Sequence, residues 1–244
     1  MKRCLTALAL ALAAAGCSPA AKQAVNSACH PVEFKGTVFT ECLADPARDR
    51  VRLVIDPELR TLAALADKLG PKAKVRFAMN GGMYDDGGKA IGLAVITGRQ
   101  VHALNRKRGL GNFHLLPNGV FSAEADGWHV RTSDAYAAAS PAAQMATQSG
   151  PMLVIGGQLH PAISPDGTSR YIRNAVGIDH TGKAHFVISE QAVSFGLIAR
   201  LFRDRPGCPD ALFLDGSVSA LWDPAAERID STVDLGPLLV VEPR

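Results

Sequence analysis

The chain has 244 residues, of which 47% are hydrophobic and 20% charged, a balance that suits one sizeable globular domain or two intimately packed halves. Its formal charge of +3 falls by two, to +1, without Lys2 and Arg3. With no basic run interleaved with aromatics, this argues against a nucleic-acid partner.

The first residues, Met1-Lys2-Arg3, precede an apolar run from Leu5 to Ala15. A charged head and a short apolar stretch form the pattern of a secretory signal peptide over residues 1–16, too short to span a bilayer. The end of the run, Ala14-Ala15-Gly16-Cys17, resembles a bacterial lipobox, which implies cleavage before Cys17, lipidation there and a membrane anchor in the cell envelope. Ordinary cleavage at a small-x-small site, leaving a soluble secreted protein, is the alternative. Residues 17–28 are small and polar and read as a tether, which leaves 29–244 as the domain. Cys29, Cys42 and Cys208 then lie in an oxidising compartment. A Cys29–Cys42 disulfide would staple the first strand region, with Cys208 buried or paired with one of the other two.

Further along, Thr37–Leu43 and Arg50–Ile55 are strand-like, with Val51, Leu53 and Ile55 alternating. Thr61–Leu69 has helical periodicity and ends at Gly70-Pro71. Lys74–Met79 alternates and runs into the glycine-rich turn Asn80-Gly81-Gly82. Ile91–Ile96 and Gln100–Leu104 read as a hairpin closed at Thr97-Gly98. Phe113–Leu116 and Val120–Ser122 flank Asn118-Gly119, a strong hairpin signal. Trp128–Arg131 follows a turn, and Pro141–Ala146 reads as a short helix. Met152–Ile155, Ala175–Asp179, Ala184–Ile188, Ala211–Leu214 and Leu238–Glu242 read as strands, and Phe195–Phe202 as the second clear helix. The turn-rich stretch His160–Arg173 suits an active-site loop or lid. Strands joined by tight turns predict an α+β, mostly antiparallel single domain of curved sheets with a few packed helices.

A carboxylate at the end of a buried strand is costly without partners, which draws attention to Asp215-Gly216-Ser217 after Leu214. Together with Asn80-Gly81-Gly82-Met83-Tyr84, Ile91-Gly92-Leu93, Gly111-Asn112-Phe113, Pro117-Asn118-Gly119, Ser149-Gly150-Pro151 and Arg173-Asn174-Ala175, in this order, the chain resembles the phosphodiester glycosidase family from about Phe34 onward. Asn174 and Val218 set it closer to a bacterial branch than to the animal members. The resemblance implies a hydrolase acting on a phosphorylated glycan or sugar phosphate at the sugar-1-phosphate linkage.

Such chemistry wants carboxylates about the anomeric centre and a cation on the phosphate. Asp215 is the leading acid and Glu190 the second, the latter equally suited to facing a helix start. Arg173 is the phosphate cation, or else a structural arginine paired with Asp179 or Glu190. Asp179 itself reads as a hairpin-turn residue. Asn80, Gly81 and Gly82 suggest an anion nest, with Ser149 and Gly150 in a similar role. Ser149 lacks a Gly-x-Ser-x-Gly context, and Ser217 reads as a substrate hydrogen-bond donor. The resemblance adds Asn112, Asn118, Asn174 and Gly216 to the substrate contacts. Arg106, Lys107 and Arg108 form a basic loop, solvated by default, that can steer an anion inward. The seven histidines show no metal spacing, and Asp85-Asp86-Gly87 lacks the ligands of a calcium loop. No cofactor is expected, although a divalent cation between carboxylates and phosphate is compatible with the sequence. Two other readings fit the same groups: a non-catalytic module that binds phosphorylated glycans, and a phosphodiesterase that breaks the P–O bond.

Overall fold

The computed structural model describes residues 27–215, 218–230 and 234–244. Cys17, Gly216 and Ser217 lie outside the described residues. Strand β1 (Cys29–Phe34) turns back into β2 (Thr37–Ala44), and β3 (Asp49–Val54) follows. Helix α1 (Leu62–Leu69) starts where Thr61 Oγ1 accepts from the Ala64 amide at 3.0 Å. That bond satisfies one of the amides a helix start leaves open.

Next come β4 (Phe77–Asn80), β5 (Ala94–Ile96) and β6 (Arg99–His102). The turn between β5 and β6 has positive φ at both Thr97 and Gly98, as a two-residue hairpin requires. Strands β7 (Gly119–Glu124) and β8 (Gly127–Thr132) lead into α2 (Ser133–Ala139). Then follow β9 (Met145–Ser149), β10 (Met152–Ile155), β11 (Gln158–Leu159), β12 (Asn174–Ile178), β13 (Ala184–Ser189) and α3 (Phe195–Asp204). The chain closes with β14 (Asp210–Phe213), β15 (Leu221–Asp223), β16 (Arg228–Ile229) and β17 (Leu238–Pro243).

These strands build three open sheets: β1-β2-β13-β12-β14-β10-β11, β16-β15-β4-β17-β3 and β6-β5-β9-β7-β8. Every strand pairing among the described residues is antiparallel, so the domain is α+β. All three turn one face to a shared core. Phe186 on β13 meets Phe77 of the second sheet at 5.2 Å and Phe121 of the third at 5.5 Å, both edge-on, the arrangement aromatic quadrupoles favour.

The outer faces are covered by helices. Alternate residues Ala175, Val187 and Phe213 pack under Ile198 and Phe202 of α3. Ala78, Leu238 and Val240 pack under Leu62 and Leu65 of α1, and Val120 and Ala146 under Tyr136 of α2. Burial on both faces explains why β4, β9 and β13 are buried throughout. Among the described residues, no helix is long and apolar enough to cross a membrane.

Two local expectations fail. Pro141–Ala146 is not helical; the short helix is Ser133–Ala139, and Met145 and Ala146 open β9. Asn118-Gly119 does not close a hairpin. Asn112–His114 is a single 3-10 turn, and β7 pairs forward with β8. A Cβ on Gly119 would lie 2.2 Å from Met152 Sδ and 2.9 Å from the Arg131 carbonyl, so the glycine serves a close approach rather than a turn.

Cys29 faces Cys42 across β1 and β2 and is bonded to it, while Cys208 is a buried free thiol. Asp179 closes the β12–β13 turn, its Oδ1 accepting from the Thr181 and Lys183 amides at 2.7 and 3.0 Å. The 160–173 segment packs on α3, where Arg200 Nη1 donates to the Pro165 carbonyl at 2.5 Å.

Candidate active site

Three strand ends, one from each sheet, meet at Leu214-Asp215. Asn80 ends β4, Asn174 opens β12 and Ser149 ends β9; each is at most 1% exposed. Asn174 Nδ2 donates to Asn80 Oδ1 at 2.9 Å and to the Asn80 carbonyl at 3.0 Å. Its Oδ1 accepts from the Asp215 amide at 3.1 Å. Asn80 Nδ2 donates to the Asp215 carbonyl at 3.0 Å, and Asn80 Oδ1 accepts from the Ala220 amide at 2.9 Å. Ser149 Oγ donates to the Leu214 carbonyl. Ser219 Oγ is 3.2 Å from the Asp215 carbonyl and 3.1 Å from that of Ile172. These bonds fix the Asp215 backbone from both sides of the core, and neutral amides do so without the desolvation cost of buried charge.

Asp215 lines a cleft of about 500 Å³ with Arg60, Tyr84, Asp85, Asn112 and Val218 among its walls. The Tyr84 hydroxyl donates to the Asp234 carbonyl at 2.6 Å. Burial, and then the negative charge of Asp215, raise its pKa above the ordinary phenol value, so Tyr84 is a neutral donor at physiological pH. Arg60 stands behind the ring and pairs with Asp234 at 3.3 Å.

The remaining sequence candidates fall into distinct places. Gly81 and Gly82 do not present a free nest: the Gly81 amide donates to the Pro237 carbonyl at 2.7 Å and the Gly82 amide to Thr147 Oγ1 at 3.2 Å. A Cβ on Gly82 would sit 2.2 Å from the Gln148 carbonyl, so it is close contact with β9 that demands glycine there. Gly150 lies against Asn118 and Phe113. Asn118 is buried, and its Nδ2 donates to the carbonyls of Phe113 and Asn105 at 3.1 and 3.3 Å.

Arg173 is 1% exposed. Its Nε donates to the Val193 carbonyl at 2.9 Å and its Nη2 to the Ser169 carbonyl at 3.2 Å, while the guanidinium lies 3.6 Å from the centre of the Phe195 ring. Among the described residues no carboxylate pairs with it, and burial pulls its pKa down to about 10. Its Nε and Nη2 thus serve the backbone of the segments around Ser169 and Val193. Glu190 binds Arg228 Nη1 and Thr40 Oγ1, each at 2.6 Å, and Arg228 also holds Asp230. Its contacts are with this ion-pair group, not with the residues around Asp215.

Two contributors escaped the sequence reading. Tyr84 was seen only within a motif. Gln148 lay beside a segment read as helical; a polar residue inside a strand buried on both faces is the signal that would have exposed it. Among the described residues, Glu124, Asp126 and His129 bring ligand-type atoms within 4.8 Å of one another, a grouping the spacing of the histidines did not suggest. Arg131 Nη1 and Ser122 Oγ already bind Glu124 there.

A model of the phosphodiester glycosidase family matches residues 73–239. The chain belongs to that family. Over 162 residues it is 39% identical to the uncharacterized protein YigE of Escherichia coli K12, covering 66% of this chain and 63% of that protein, less than two thirds of its length. Two solved structures share the fold seen here. One is the catalytic domain of zebrafish N-acetylglucosamine-1-phosphodiester alpha-N-acetylglucosaminidase, auto-inhibited by its pro-peptide. It has a TM-score of 0.61 and 17% identity, over 88% of this chain and 82% of that one. The other is a hypothetical protein from Synechocystis, with a TM-score of 0.57 and 14% identity over 88% and 61%.

Proposed function

We propose that this chain hydrolyses a glycosyl phosphodiester, with Asp215 as the acid that works at the anomeric centre. The reading is carried by the convergence of three strand ends on Asp215 at a cleft, in a chain of this family. Asp215 either attacks the anomeric carbon or activates the water that does. The bond between that carbon and the bridging oxygen breaks, the water oxygen ends on the sugar, and the phosphate departs with the bridging oxygen as a monoester. A leaving group with a second pKa of about 6 needs little protonation. Asn112, on the cleft wall, and Gly216 and Ser217, beside Asp215 in sequence, are assigned to substrate. Asn80, Asn174 and Ser149 are assigned to holding Asp215, Arg173 to anchoring the start of β12, and Glu190 to its ion pair.

Incubation with a panel of sugar-1-phosphodiesters, UDP-N-acetylglucosamine included, should release free sugar. Asp215→Asn should lower kcat by about 100-fold or more with an unchanged thermal transition; full activity in that variant removes Asp215 from the mechanism. In ¹⁸O-labelled water the label should enter the sugar; label in the phosphate identifies P–O cleavage instead. Calorimetric binding without product identifies a binding module. A cell-envelope address with lipidated Cys17 belongs to the same proposal, and the mass of the mature N-terminal peptide checks it.

A further inference from the structure

The basic loop after Asn105 is clamped by an interior residue. Gln148 Oε1 accepts from the Asn105 and Leu93 amides at 2.9 and 2.8 Å, and its Nε2 donates to the Asn105 carbonyl at 2.6 Å and to Ser133 Oγ at 2.8 Å. Asn118 Nδ2 reaches the same Asn105 carbonyl. The four hydrogen-bonding positions of the Gln148 side chain are thus filled, and the root of the loop is fixed to β9. Further out, the Lys107 amide donates to Asn105 Oδ1 at 3.1 Å, and His114 Nδ1 lies 2.8 Å from the Lys107 carbonyl. A Cβ on Gly109 would come within 2.9 Å of the His114 ring, so the loop folds back closely on its own far end. Residues 106–111 therefore present a set shape to solvent, which lowers the ordering cost of any contact they make.

That shape holds an apolar tip among cations. Leu110 is 96% exposed, whereas the other exposed large hydrophobic residues lie between 37% and 55%. It stands between Gly109 and Gly111, beside Arg106, Lys107 and Arg108, all of them exposed. Arg106 pairs with Asp134 at 3.1 Å, both side chains more than half exposed, a contact that water screens. Among the described residues, Lys107 and Arg108 form no ion pair. Between Asp86 and Glu124 the chain carries Lys89, Arg99, Arg106, Lys107 and Arg108 and no Asp or Glu. Strand β6, which leads into the loop, is exposed along its whole length and adds Arg99 and Val101. Between residues 99 and 111 no aromatic side chain interleaves the charges, so the stacking platform of a single-strand nucleic-acid binder is missing.

We propose that residues 106–111 dock the domain on an anionic phospholipid surface. Lys107 and Arg108, with Arg106 beside them, meet the headgroup phosphates, and Leu110 enters the acyl boundary between them. Basic side chains around an apolar one suit an interface that is charged outside and apolar within. A soluble polyanion would use the cations and leave Leu110 in water, so the leucine is what selects a bilayer. A lipid at Cys17 would tether the domain to such a surface, but the docking does not depend on it. The loop also runs directly into the site: Asn112, two residues past Leu110, lines the Asp215 cleft together with the apolar side chains of Met83, Ile91 and Val218. Docking thus holds the cleft wall next to the interface. Resting on the proposed hydrolase reading, this points to a glycosyl phosphodiester whose second alcohol is a lipid. Water oxygen ends on the released sugar, and the lipid phosphomonoester keeps the bridging oxygen and stays in the bilayer.

Co-sedimentation of the mature chain, residues 17–244 produced without acylation, with phospholipid vesicles tests the docking. Vesicles of phosphatidylcholine and phosphatidylglycerol should bind it at least about tenfold more strongly than phosphatidylcholine alone, and added salt should weaken the binding. Lys107→Ala with Arg108→Ala should weaken it about tenfold or more, at about fivefold for each cation near the surface. Leu110→Ser, on a side chain that supports no core, should weaken it about tenfold with an unchanged thermal transition. No binding, equal binding to both vesicles, or full binding by Leu110→Ser overturns the proposal; the last result, with heparin binding of equal strength, assigns the loop to an acidic polymer. Hydrolysis is read separately, on soluble UDP-N-acetylglucosamine and on polyprenyl-phosphate-linked N-acetylglucosamine carried in the anionic vesicles. Leu110→Ser should slow the second about tenfold and leave the first unchanged. Turnover of the soluble compound alone overturns the lipid substrate. Turnover of neither removes the hydrolase reading and its lipid substrate together, while the vesicle result still decides the docking.

Discussion

Asn174 accepts through Oδ1 from the Asp215 amide and gives both Nδ2 protons to Asn80, so one side chain joins the first sheet, the second sheet and the strand end that bears the acid. Truncation to alanine would leave the Asp215 amide and two Asn80 oxygens short of a partner. Buried groups left in that state cost about 1–3 kcal/mol each, so Asn174→Ala should lose about 3 kcal/mol in denaturant unfolding and most of the hydrolytic activity. Asn174→Asp would keep the acceptor but lose the donor and bury a charge; it should be no better than alanine. Asp215, Asn80, Asn174 and Ser149 were all legible as residues of interest from their ordered motifs. Their division of labour was not, because amide-to-amide contacts between strands 94 positions apart leave no mark in local spacing.

At the scale of elements, β2 and β13 share a half-buried charge network. His185 Nδ1 sits 2.8 Å from Glu41 and its Nε2 3.2 Å from Asp179, while His30 touches the other Glu41 oxygen at 3.2 Å. Burial alone would lower the His185 pKa, but the hydrogen bonds it donates to Glu41 and Asp179 prevail and raise it. Burial likewise opposes, and His185 outweighs, in holding Glu41 below the ordinary carboxylate value. A raised histidine stabilises the fold fully below the unfolded value of about 6.5 and loses that contribution as pH climbs through its folded value. The lowered carboxylates act in the opposite direction, present above about 4.5 and lost as pH falls through their folded values. Urea unfolding of wild type and His185→Gln should therefore differ most between about pH 5 and 6, and the gap should narrow above pH 7.

Elements with clean alternation or a two-residue turn, such as β3 and the β5–β6 hairpin, were readable in advance. The Met145–Ser149 strand was not: Thr147, Gln148 and Ser149 are polar yet fully buried, so the usual outward-facing polar rhythm is absent. Asn118-Gly119 imitated a turn because its residues suit one; here the amide serves the Asn105 loop and the glycine admits Met152.

For the whole molecule, the ring contacts among Phe77, Phe121 and Phe186 and the hydrogen bonds at Asp215 make the three sheets interdependent. No sheet can open without exposing the inner face of the other two. Trp128 lies in the third sheet and Trp222 in the second, so single-tryptophan variants report on them separately. Trp128→Phe and Trp222→Phe proteins should each show a fluorescence transition whose midpoint coincides with that of its own circular dichroism, the signature of one cooperative unit. Separated transitions would mean the sheets unfold independently.

The Asp215 backbone is pinned by strand ends, whereas Arg106, Lys107 and Arg108 stand on an exposed loop outside those strands. Interior strand ends and this surface loop thus have very different tolerance for change. Sequence drift or laboratory selection at the loop can proceed while Asp215 keeps its coordinates, so a library confined to residues 106–111 should lose folding far less often than one that varies Asn80, Asn174 and Ser149.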